Sequence, residues 1–170
     1  MPGNDPRGGG VTPPEQLIRM HRRSLVHVLV LHGTTAGRDQ VARVFHRESP
    51  VRSGPFVKLD AARDADALHA ALEACVARDE EVGVVRESHR GTLYVDFVGR
   101  LPLETQRLLL EFSKRSTSDL PGARAAAWGG RIVAGSPNDL APAVAQGRFI
   151  AELHDTLNKI LVDLGQEGAP

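Results

Sequence analysis

A short segment, residues 32–39, has the residue types of a phosphate-binding loop without their usual order. It follows an apolar run, residues 26–31, that is typical of a buried parallel strand, and it precedes a segment with one apolar helical face. Such a junction brings together free backbone N–H groups and the positive end of a helix dipole, which favour an anion. A working phosphate loop needs G-x-x-x-x-G-K-[ST], in which a Lys ammonium reaches the phosphates. Here Arg38 follows Gly37, and Gly33 and Gly37 stand one residue too close together.

Asp96 is the acidic residue best placed to act with this segment. It lies near the end of an apolar run, residues 93–98, and open parallel sheets bind ligands at the carboxyl ends of their strands. One interpretation makes five residues the remnant of a nucleotide-binding site: Gly33, Gly37, Arg38, Asp39 and Asp96. In the alternative interpretation, Asp96 caps a turn or pairs with Arg38.

No other residues form a pattern typical of catalysis or metal binding. The seven histidines show no H-x-x-x-H spacing, and Cys75 is the single cysteine, so we predict no metal site. Ser136 lacks the G-x-S-x-G surroundings of a hydrolase nucleophile, and we predict no catalytic residue. Trp128, which lies among small residues, is interpreted either as an exposed contact for a partner or as a core residue packed against the sheet edge.

Composition indicates an ordinary globular protein of about one domain. The chain has 170 residues, 41% of them hydrophobic, and 21 basic side chains against 21 acidic ones. This charge balance indicates neither a nucleic-acid nor a membrane surface. No apolar signal region opens the chain, and no apolar stretch approaches the ~20 residues of a membrane span. Because a single cysteine fits a reducing compartment, we predict a cytoplasmic protein.

Strand and helix patterns alternate along the chain and predict a parallel sheet covered on both faces. One domain is predicted at residues 15–164, between a disordered tail at 1–14 and a short tail at 165–170. The predicted strands are residues 26–31, 56–59, 93–98, 131–134 and 160–162. The predicted helices are residues 15–23, 40–46, 65–78, 103–114 and 147–157. The apolar run at residues 82–85 is predicted to be an edge or hairpin strand.

Five motifs, in order between residues 26 and 164, resemble the central AAA+ domain of sigma-54-dependent transcription activators, also called the sigma-54 interaction domain. They are V-L-V with V-A-R-V-F-H around the loop, S-P with G-P-F-V at residues 49–57, G-T-L-Y-V-D at 91–96, L-P-L-E at 101–104, and V-A-x-G-R-F at 144–149. The resemblance implies the α/β subdomain of a P-loop NTPase of the AAA+ class. It implies three layers around a five-stranded parallel sheet in the order 5-1-4-3-2.

The loop departs from the family pattern G-E-S-G-T-G-K-E. His32 and Thr35 replace its first and middle glycines, and His32 brings a bulky ring where the backbone has to approach a phosphate. Arg38 replaces the Lys, and its planar fork does not mimic a compact ammonium. Because phosphoryl transfer depends on positioning and charge stabilisation, each departure is expected to weaken ATP chemistry.

Further departures fall on the other groups that the resemblance assigns to ATP hydrolysis. Phe97 stands where the family has the Glu that polarises the attacking water. Residues 135–140, G-S-P-N-D-L, resemble A-T-N-R-D-L with Pro137 in place of the sensing Asn. Ile150 and Thr156 take the places of two arginines that act across the subunit interface.

Two features that the resemblance would imply are also not expected in this chain. The G-A-F-T-G-A loop, which contacts sigma-54 in the family, should lie between residues 74 and 84, but no such letters occur there. Neither a helical lid nor a DNA-binding helix-turn-helix is expected after Leu164. Contacts with another protein are therefore expected to use the 74–84 connection or the segment 120–131 around Trp128.

These observations predict a non-catalytic regulatory or interaction module, a pseudo-ATPase, in bacterial signalling or transcription control. Its expected partner is another protein, either a related AAA+ activator or a signalling protein, and the free chain is expected to be a monomer or a dimer. No cofactor is expected. The first alternative is weak binding of Mg-ATP without hydrolysis, no tighter than millimolar, or about 4 kcal/mol. The second alternative is a slow NTPase.

Overall fold

Five parallel strands form the centre of the computed structural model, which describes residues 12–116 and 128–165. The strands are β1 (Val28–Leu31), β2 (Phe56–Asp60), β3 (Thr92–Asp96), β4 (Arg131–Ser136) and β5 (Ile160–Asp163). Their order is β2-β3-β4-β1-β5, and every neighbouring pair is parallel. This arrangement confirms the predicted order 5-1-4-3-2, with β1 in the interior of the sheet.

The central strands are buried on both faces, as expected of a parallel sheet. Every residue of β1, β3 and β4 is buried, which explains why their sequences are continuous apolar runs and not alternating patterns. The edge strands β2 and β5 retain exposed positions, including Lys58 and Leu161. The carboxyl ends of β1, β3 and β4 meet at one edge of the sheet, since these strands are neighbours.

Helices cover both faces of the sheet and complete the three layers. They are α1 (Pro14–His21), α2 (Thr35–Arg47), α3 (Ala65–Arg78), α4 (Gly83–Glu87), α5 (Leu103–Ser116), α6 (Ala141–Ala145) and α7 (Ala151–Leu157), with a 3-10 turn at Val98–Arg100. One apolar core lies between the sheet and α3, α4, α5 and α7, and it includes Leu29, Leu72 and Leu153. The second core lies on the other face, where Val28 and Phe45 pack with residues of α1 and α2.

Three predicted elements differ in the structure. The helix predicted at residues 40–46 begins earlier, at Thr35. Residues 82–85, predicted as a strand, begin helix α4, whose Val85 is fully buried. A short apolar run does not by its periodicity distinguish a strand from a buried helical turn. The helix predicted from residue 147 begins at Ala151, because Gly147 has φ +71° and Ile150 is extended.

Several predictions concern residues outside the described ranges. These are residues 1–11 of the N-terminal tail, residues 166–170 of the C-terminal tail, and residues 117–127, which include most of the predicted contact segment. Within the described ranges, no helix is both long enough and apolar enough to cross a membrane.

Trp128 lies in the core and not on the surface. Its side chain is 2% exposed, and its ring centroid lies 4.9 Å from that of Phe112. The indole Nε1–H lies within hydrogen-bond distance of two acceptors, the Val85 carbonyl oxygen and Ser88 Oγ, both at 3.1 Å. Trp128 is therefore not the exposed contact residue of the first interpretation. It is a core residue, as in the alternative interpretation.

Candidate functional site

The junction between β1 and α2 is shorter and tighter than a phosphate-binding loop. It consists of residues 32–34, because α2 begins at Thr35 and takes Gly37 and Arg38 into its first turns. His32 and Gly33 both have positive φ, 64° and 63°. Such a conformation suits Gly33 but is uncommon for a side chain such as that of His32.

Three backbone N–H groups of the junction and the first turn of α2 donate to acceptors within the protein. The N–H of His32 donates to the Ser136 carbonyl at 2.9 Å, and that of Gly33 donates to the Gly165 carbonyl at 3.2 Å. The N–H of Gly37 donates to Thr34 Oγ1 at 3.0 Å, so Thr34 is the N-cap of α2. The junction is therefore stabilised by contacts within the protein itself.

Arg38 and Asp96 form a two-point ion pair in the interior. Arg38 Nε donates to Asp96 Oδ1 at 2.9 Å, and Arg38 Nη2 donates to Asp96 Oδ2 at 3.2 Å. Both side chains are 1% exposed. The planar guanidinium matches the carboxylate in a geometry that a Lys ammonium does not reproduce. The structure thus has the pairing that the sequence left as one of two interpretations for Asp96.

The remaining donors of Arg38 are directed at the junction itself. Nη1 donates to the carbonyl oxygens of His32, at 3.1 Å, and of Gly33, at 3.0 Å. Nη2 also lies 3.4 Å from Thr35 Oγ1. Because a guanidinium has five N–H groups, these contacts and the pair with Asp96 account for all of them. The Asp96 carboxylate neutralises the positive charge of Arg38, and the carbonyl oxygens of the junction point toward the Arg38 guanidinium.

Phe97 covers one side of this pair. The Arg38 Cζ atom lies 5.3 Å from the centre of the Phe97 ring, within the range of a cation–π contact. The Phe97 backbone is left-handed, with φ +55°, which is rare for a bulky residue. An aromatic ring therefore occupies the position at which the family resemblance implies a water-polarising Glu.

Gly135 on β4 provides the space for the ion pair, a role that the sequence alone does not predict. A Cβ atom at this position would lie 2.4 Å from Asp96 Oδ1 and 3.1 Å from the Tyr94 hydroxyl oxygen. In residues 135–140, Gly135 stands in place of the Ala of the family pattern A-T-N-R-D-L. The need for a glycine at this position comes from the packing of β3 against β4, which the motif alone does not reveal.

The hydroxyl of Tyr94 adds a second buried polar group beside Asp96. It has no hydrogen-bond partner among the described residues. Burial raises the pKa of Tyr94 above its ordinary value, and the nearby Asp96 charge raises it further. Tyr94 is therefore a neutral phenol in this environment.

Asp39 was predicted to be part of the binding site, but its carboxylate is used elsewhere. Its Oδ2 accepts from Arg43 Nε at 2.8 Å, and its Oδ1 lies 3.2 Å from Lys58 Nζ. Burial would raise the pKa of Asp39, but these two cations outweigh it and hold the pKa below its ordinary value. Asp39 thus ties α2 to β2, and only Arg38 and Asp96 of the predicted set interact through their side chains.

Residues 163–165 close the other side of the junction. His32 Nδ1 lies 2.7 Å from Asp163 Oδ1, which also accepts from the Gly165 N–H at 2.8 Å. The hydrogen bond to His32, and then that from Gly165, hold the pKa of Asp163 below its ordinary value. Leu164 lies so near Gly33 that a Cβ atom there would be 2.8 Å from Leu164 Cδ1.

The other positions of altered family residues have local structural roles. The Ile150 N–H donates to Gln106 Oε1 at 2.9 Å, and Thr156 Oγ1 donates to the Glu152 carbonyl at 2.8 Å. The connection between α3 and α4, where the family has its partner loop, is only residues 79–82. Among residues 12–116 and 128–165, no group of three or more His, Cys, Asp or Glu side chains is arranged to hold a metal ion.

Comparisons with known proteins agree with the resemblance. The family model of the sigma-54 interaction domain matches residues 11–163. The C4-dicarboxylate transport transcriptional regulatory protein DctD of Pseudomonas aeruginosa is 34% identical over 139 residues, which cover 77% of this chain and 30% of DctD. The response regulator protein PilR of the same species is 28% identical over 163 residues, 89% of this chain and 37% of PilR. The chain thus spans about a third of the length of these curated relatives.

Solved structures show the same fold. NtrX of Brucella abortus, solved in complex with ATP, has a TM-score of 0.71 and 25% identity, and the match covers 93% of this chain and 39% of NtrX. The P-loop NTPase domain of the sigma-54 transport activator from E. coli has a TM-score of 0.63 and 17% identity. That match covers 88% of this chain and 89% of the E. coli domain, so it extends over nearly all of both.

Proposed function

We propose, from the premise that this chain belongs to the sigma-54 interaction domain family, that it is a regulatory domain that acts through protein contacts and does not hydrolyse ATP. The observation that supports this proposal is the environment of Arg38. All five of its N–H groups have acceptors within the protein, and its charge is neutralised by Asp96 in the interior. A cation held in this way has no donor left for a phosphate.

The polarity of the junction supports the same conclusion. An anion is bound at a strand–helix junction by N–H groups that converge on it. In this chain the carbonyl oxygens of His32 and Gly33 point toward Arg38, while the N–H groups of both residues donate to other carbonyls. A triphosphate placed here would meet carbonyl oxygens and would have to displace the Asp96 carboxylate from Arg38. We expect any binding of Mg-ATP to be no tighter than millimolar, about 4 kcal/mol.

Hydrolysis would need further groups that the described residues do not supply. The ring of Phe97 stacks on Arg38 at the position where a carboxylate would polarise water. Pro137 has no side-chain amide, and the positions of the two trans-acting arginines are held by Ile150 and Thr156. Transition-state charge in phosphoryl transfer is stabilised by such groups, and their loss costs orders of magnitude in rate.

A role in transcription regulation agrees with the relatives, two of which are a transcriptional regulatory protein and a response regulator. The proposed partner is another protein, either a related AAA+ activator or a signalling protein. The 79–82 connection between α3 and α4 remains a candidate contact, since it follows an exposed end of α3. Without nucleotide and arginines to join neighbours, the free domain is expected to be a monomer or a dimer.

Calorimetry with Mg-ATP tests the proposal, together with a phosphate-release assay. We expect no heat of micromolar binding and no turnover, for the natural sequence and for the Arg38→Lys variant alike. Arg43→Lys is the matched control, because it makes the same change at an exposed position of the same helix, α2. Micromolar binding to the natural sequence would instead favour a nucleotide-binding domain without turnover.

Sedimentation velocity distinguishes the proposed function from the remaining alternative, a slow NTPase. The sedimentation coefficient should not change on addition of Mg-ATP, because no nucleotide bridges neighbouring copies. ATP-dependent assembly, or phosphate release that Arg43→Lys leaves unchanged and Arg38→Lys alters, would contradict the proposal and favour a slow NTPase.

A further inference from the structure

A second concave site lies at the carboxyl edge of the sheet, beyond the ends of β3 and β4. It is a cavity of about 230 Å³. Its lining comes from the 3-10 turn, the segment after β4, α6 and Arg148. Phe97 contributes to its wall and also stacks on Arg38, whereas Arg38 and Asp96 are not part of the lining. The cavity is therefore distinct from the junction that encloses Arg38.

Two arginines line this cavity without a carboxylate partner among the described residues. The side chain of Arg100 is exposed and has no hydrogen-bond or ion-pair partner within those ranges. Arg148 is exposed as well, and its guanidinium contacts only the neutral amide oxygen of Gln146, through Nε at 2.9 Å and Nη2 at 2.5 Å. Both guanidinium groups keep donors available, and such forks suit a carboxylate in particular.

The rest of the lining combines apolar surface with the polar residues Ser136, Asn138 and Asp139. Phe97, Pro137, Leu140 and Ala143 supply carbon surface, and Leu140 is buried at 3% exposure. Small-molecule sites typically combine such apolar walls with a few polar groups that fix orientation. The volume limits the occupant to a small molecule, since sites for drug-sized ligands begin at about 300 Å³.

We propose that this cavity binds a small organic carboxylate, with the acid group on Arg100 and Arg148 and an apolar body against Phe97 and Leu140. This inference goes beyond the regulatory role proposed above and does not depend on it. A planar apolar body is favoured, because an aromatic ring can stack on Phe97 in an offset or edge-to-face arrangement.

Asp139 opposes the anion and sets an upper limit to the affinity. Its carboxylate lines the same cavity and accepts the Ala141 N–H at 3.0 Å, which supports the start of α6. Its negative charge raises the electrostatic cost of a bound carboxylate. Asp139→Asn retains an acceptor for the Ala141 N–H and should tighten binding severalfold.

The test is a titration followed by chemical shifts of ¹⁵N-labelled protein, with three probes. Benzoate combines the acid and the apolar ring, benzamide keeps the ring without the charge, and inorganic phosphate keeps the charge without the ring. Benzoate should shift the amide signals of Gly99, Arg100 and Ala143 and saturate in the low millimolar range, as expected for so few atoms. Benzamide and phosphate should each bind about tenfold more weakly or not at all, which is ~1.4 kcal/mol.

Matched variants assign the effect to the two arginines. Arg100→Gln and Arg148→Gln should each weaken benzoate binding about tenfold, while Arg52→Gln, an exposed arginine elsewhere, should leave it unchanged. The dispersed spectrum of each variant shows that it is folded. Equal binding of phosphate and benzoate, a lack of saturable shifts at these residues, or insensitivity to both arginine substitutions would overturn the proposal.

Discussion

The guanidinium of Arg38 and the carboxylate of Asp96 form a parallel, two-point contact between α2 and the end of β3, at 2.9 and 3.2 Å. Both groups lie in the interior, where each charge is costly without the other. The contact joins residues 58 positions apart in the chain. It therefore has the character of a structural tie within the fold.

Removal of either partner should destabilise the domain strongly. Asp96→Ala and Arg38→Met should each lower the free energy of unfolding by about 3–5 kcal/mol, because each leaves an uncompensated buried charge or an emptied polar site. The double variant should lose clearly less free energy of unfolding than the two single variants lose together. A double-mutant cycle followed by urea denaturation measures this difference. Asp39→Ala is the control, since its partners Arg43 and Lys58 are exposed and its loss should cost below about 1 kcal/mol. Additive effects of Asp96→Ala and Arg38→Met would show that the pair is not a unit.

A side chain at Gly135 should disturb the same pair. Gly135→Ala places a Cβ atom 2.4 Å from Asp96 Oδ1, and overpacking of this kind costs about 1–3 kcal/mol. Gly37→Ala is the matched control, because its nearest neighbours would be at 3.2 and 3.6 Å and Ala is the better helix former. In an Asp96→Ala background the cost of Gly135→Ala should shrink. An equal cost in both backgrounds would mean that the clash lies elsewhere.

His27 should make the stability of the domain depend on pH. It is 2% exposed, and its Nδ1 accepts the Ile132 N–H at 3.2 Å, so the imidazole is neutral. Burial, and then the charges of Arg131 and Lys159, lower the pKa of His27 to about 4 from 6.5. Between these values the unfolded chain binds the proton and the folded chain does not, so stability is complete above pH 6.5 and is lost as the pH falls toward 4. The loss should amount to about 3 kcal/mol.

Denaturation curves at a series of pH values measure this effect. His27→Asn keeps an acceptor for the Ile132 N–H and removes the titrating group, so its stability should fall less between pH 6.5 and 4. His46, whose pKa is also lowered by burial, contributes with the same sign and remains in both proteins. Identical slopes for the natural sequence and the variant would exclude His27 as the source.

Trp128 should behave as a core residue. Because it is the single tryptophan, its emission reports on this position alone, and we expect the blue-shifted maximum of a buried indole. Trp128→Ala should cost about 3–5 kcal/mol, as for other core aromatics. Trp128→Phe keeps the contact with Phe112 but loses the N–H donor to Val85 and Ser88, and it should cost about 1–3 kcal/mol. Emission typical of exposed indole would contradict the position described here.

The sheet could be predicted from the sequence because its strands are continuous apolar runs with helices between them, and the family resemblance supplied their order. The short elements were less predictable. A short apolar run such as residues 82–85 fits either a strand or a buried helical turn, and in the structure it forms helix α4, which packs against α3. The five-residue helix α6 has no apolar periodicity to reveal it.

The candidate site was predictable in its location but not in its contacts. The loop pattern placed Arg38 near Asp96, and their pairing was foreseen as one of two possibilities. The carbonyl contacts of Arg38 depend on the positive φ of both His32 and Gly33, and the residue type favours this conformation at Gly33 but not at His32. The cavity beside Arg100 joins segments that are distant in the chain, so no local motif marks it.

The contacts of residues 163–165 with the β1–α2 junction bear on how the domain can be shortened or fused. Gly165 accepts the Gly33 N–H, Leu164 donates to the Leu31 carbonyl, and Asp163 contacts His32. A chain cut before residue 163 would lose these contacts at the end of β1 and would free the backbone that surrounds the Arg38 guanidinium. An expressed domain should therefore extend through Gly165, and tags or reporter domains are best attached beyond it.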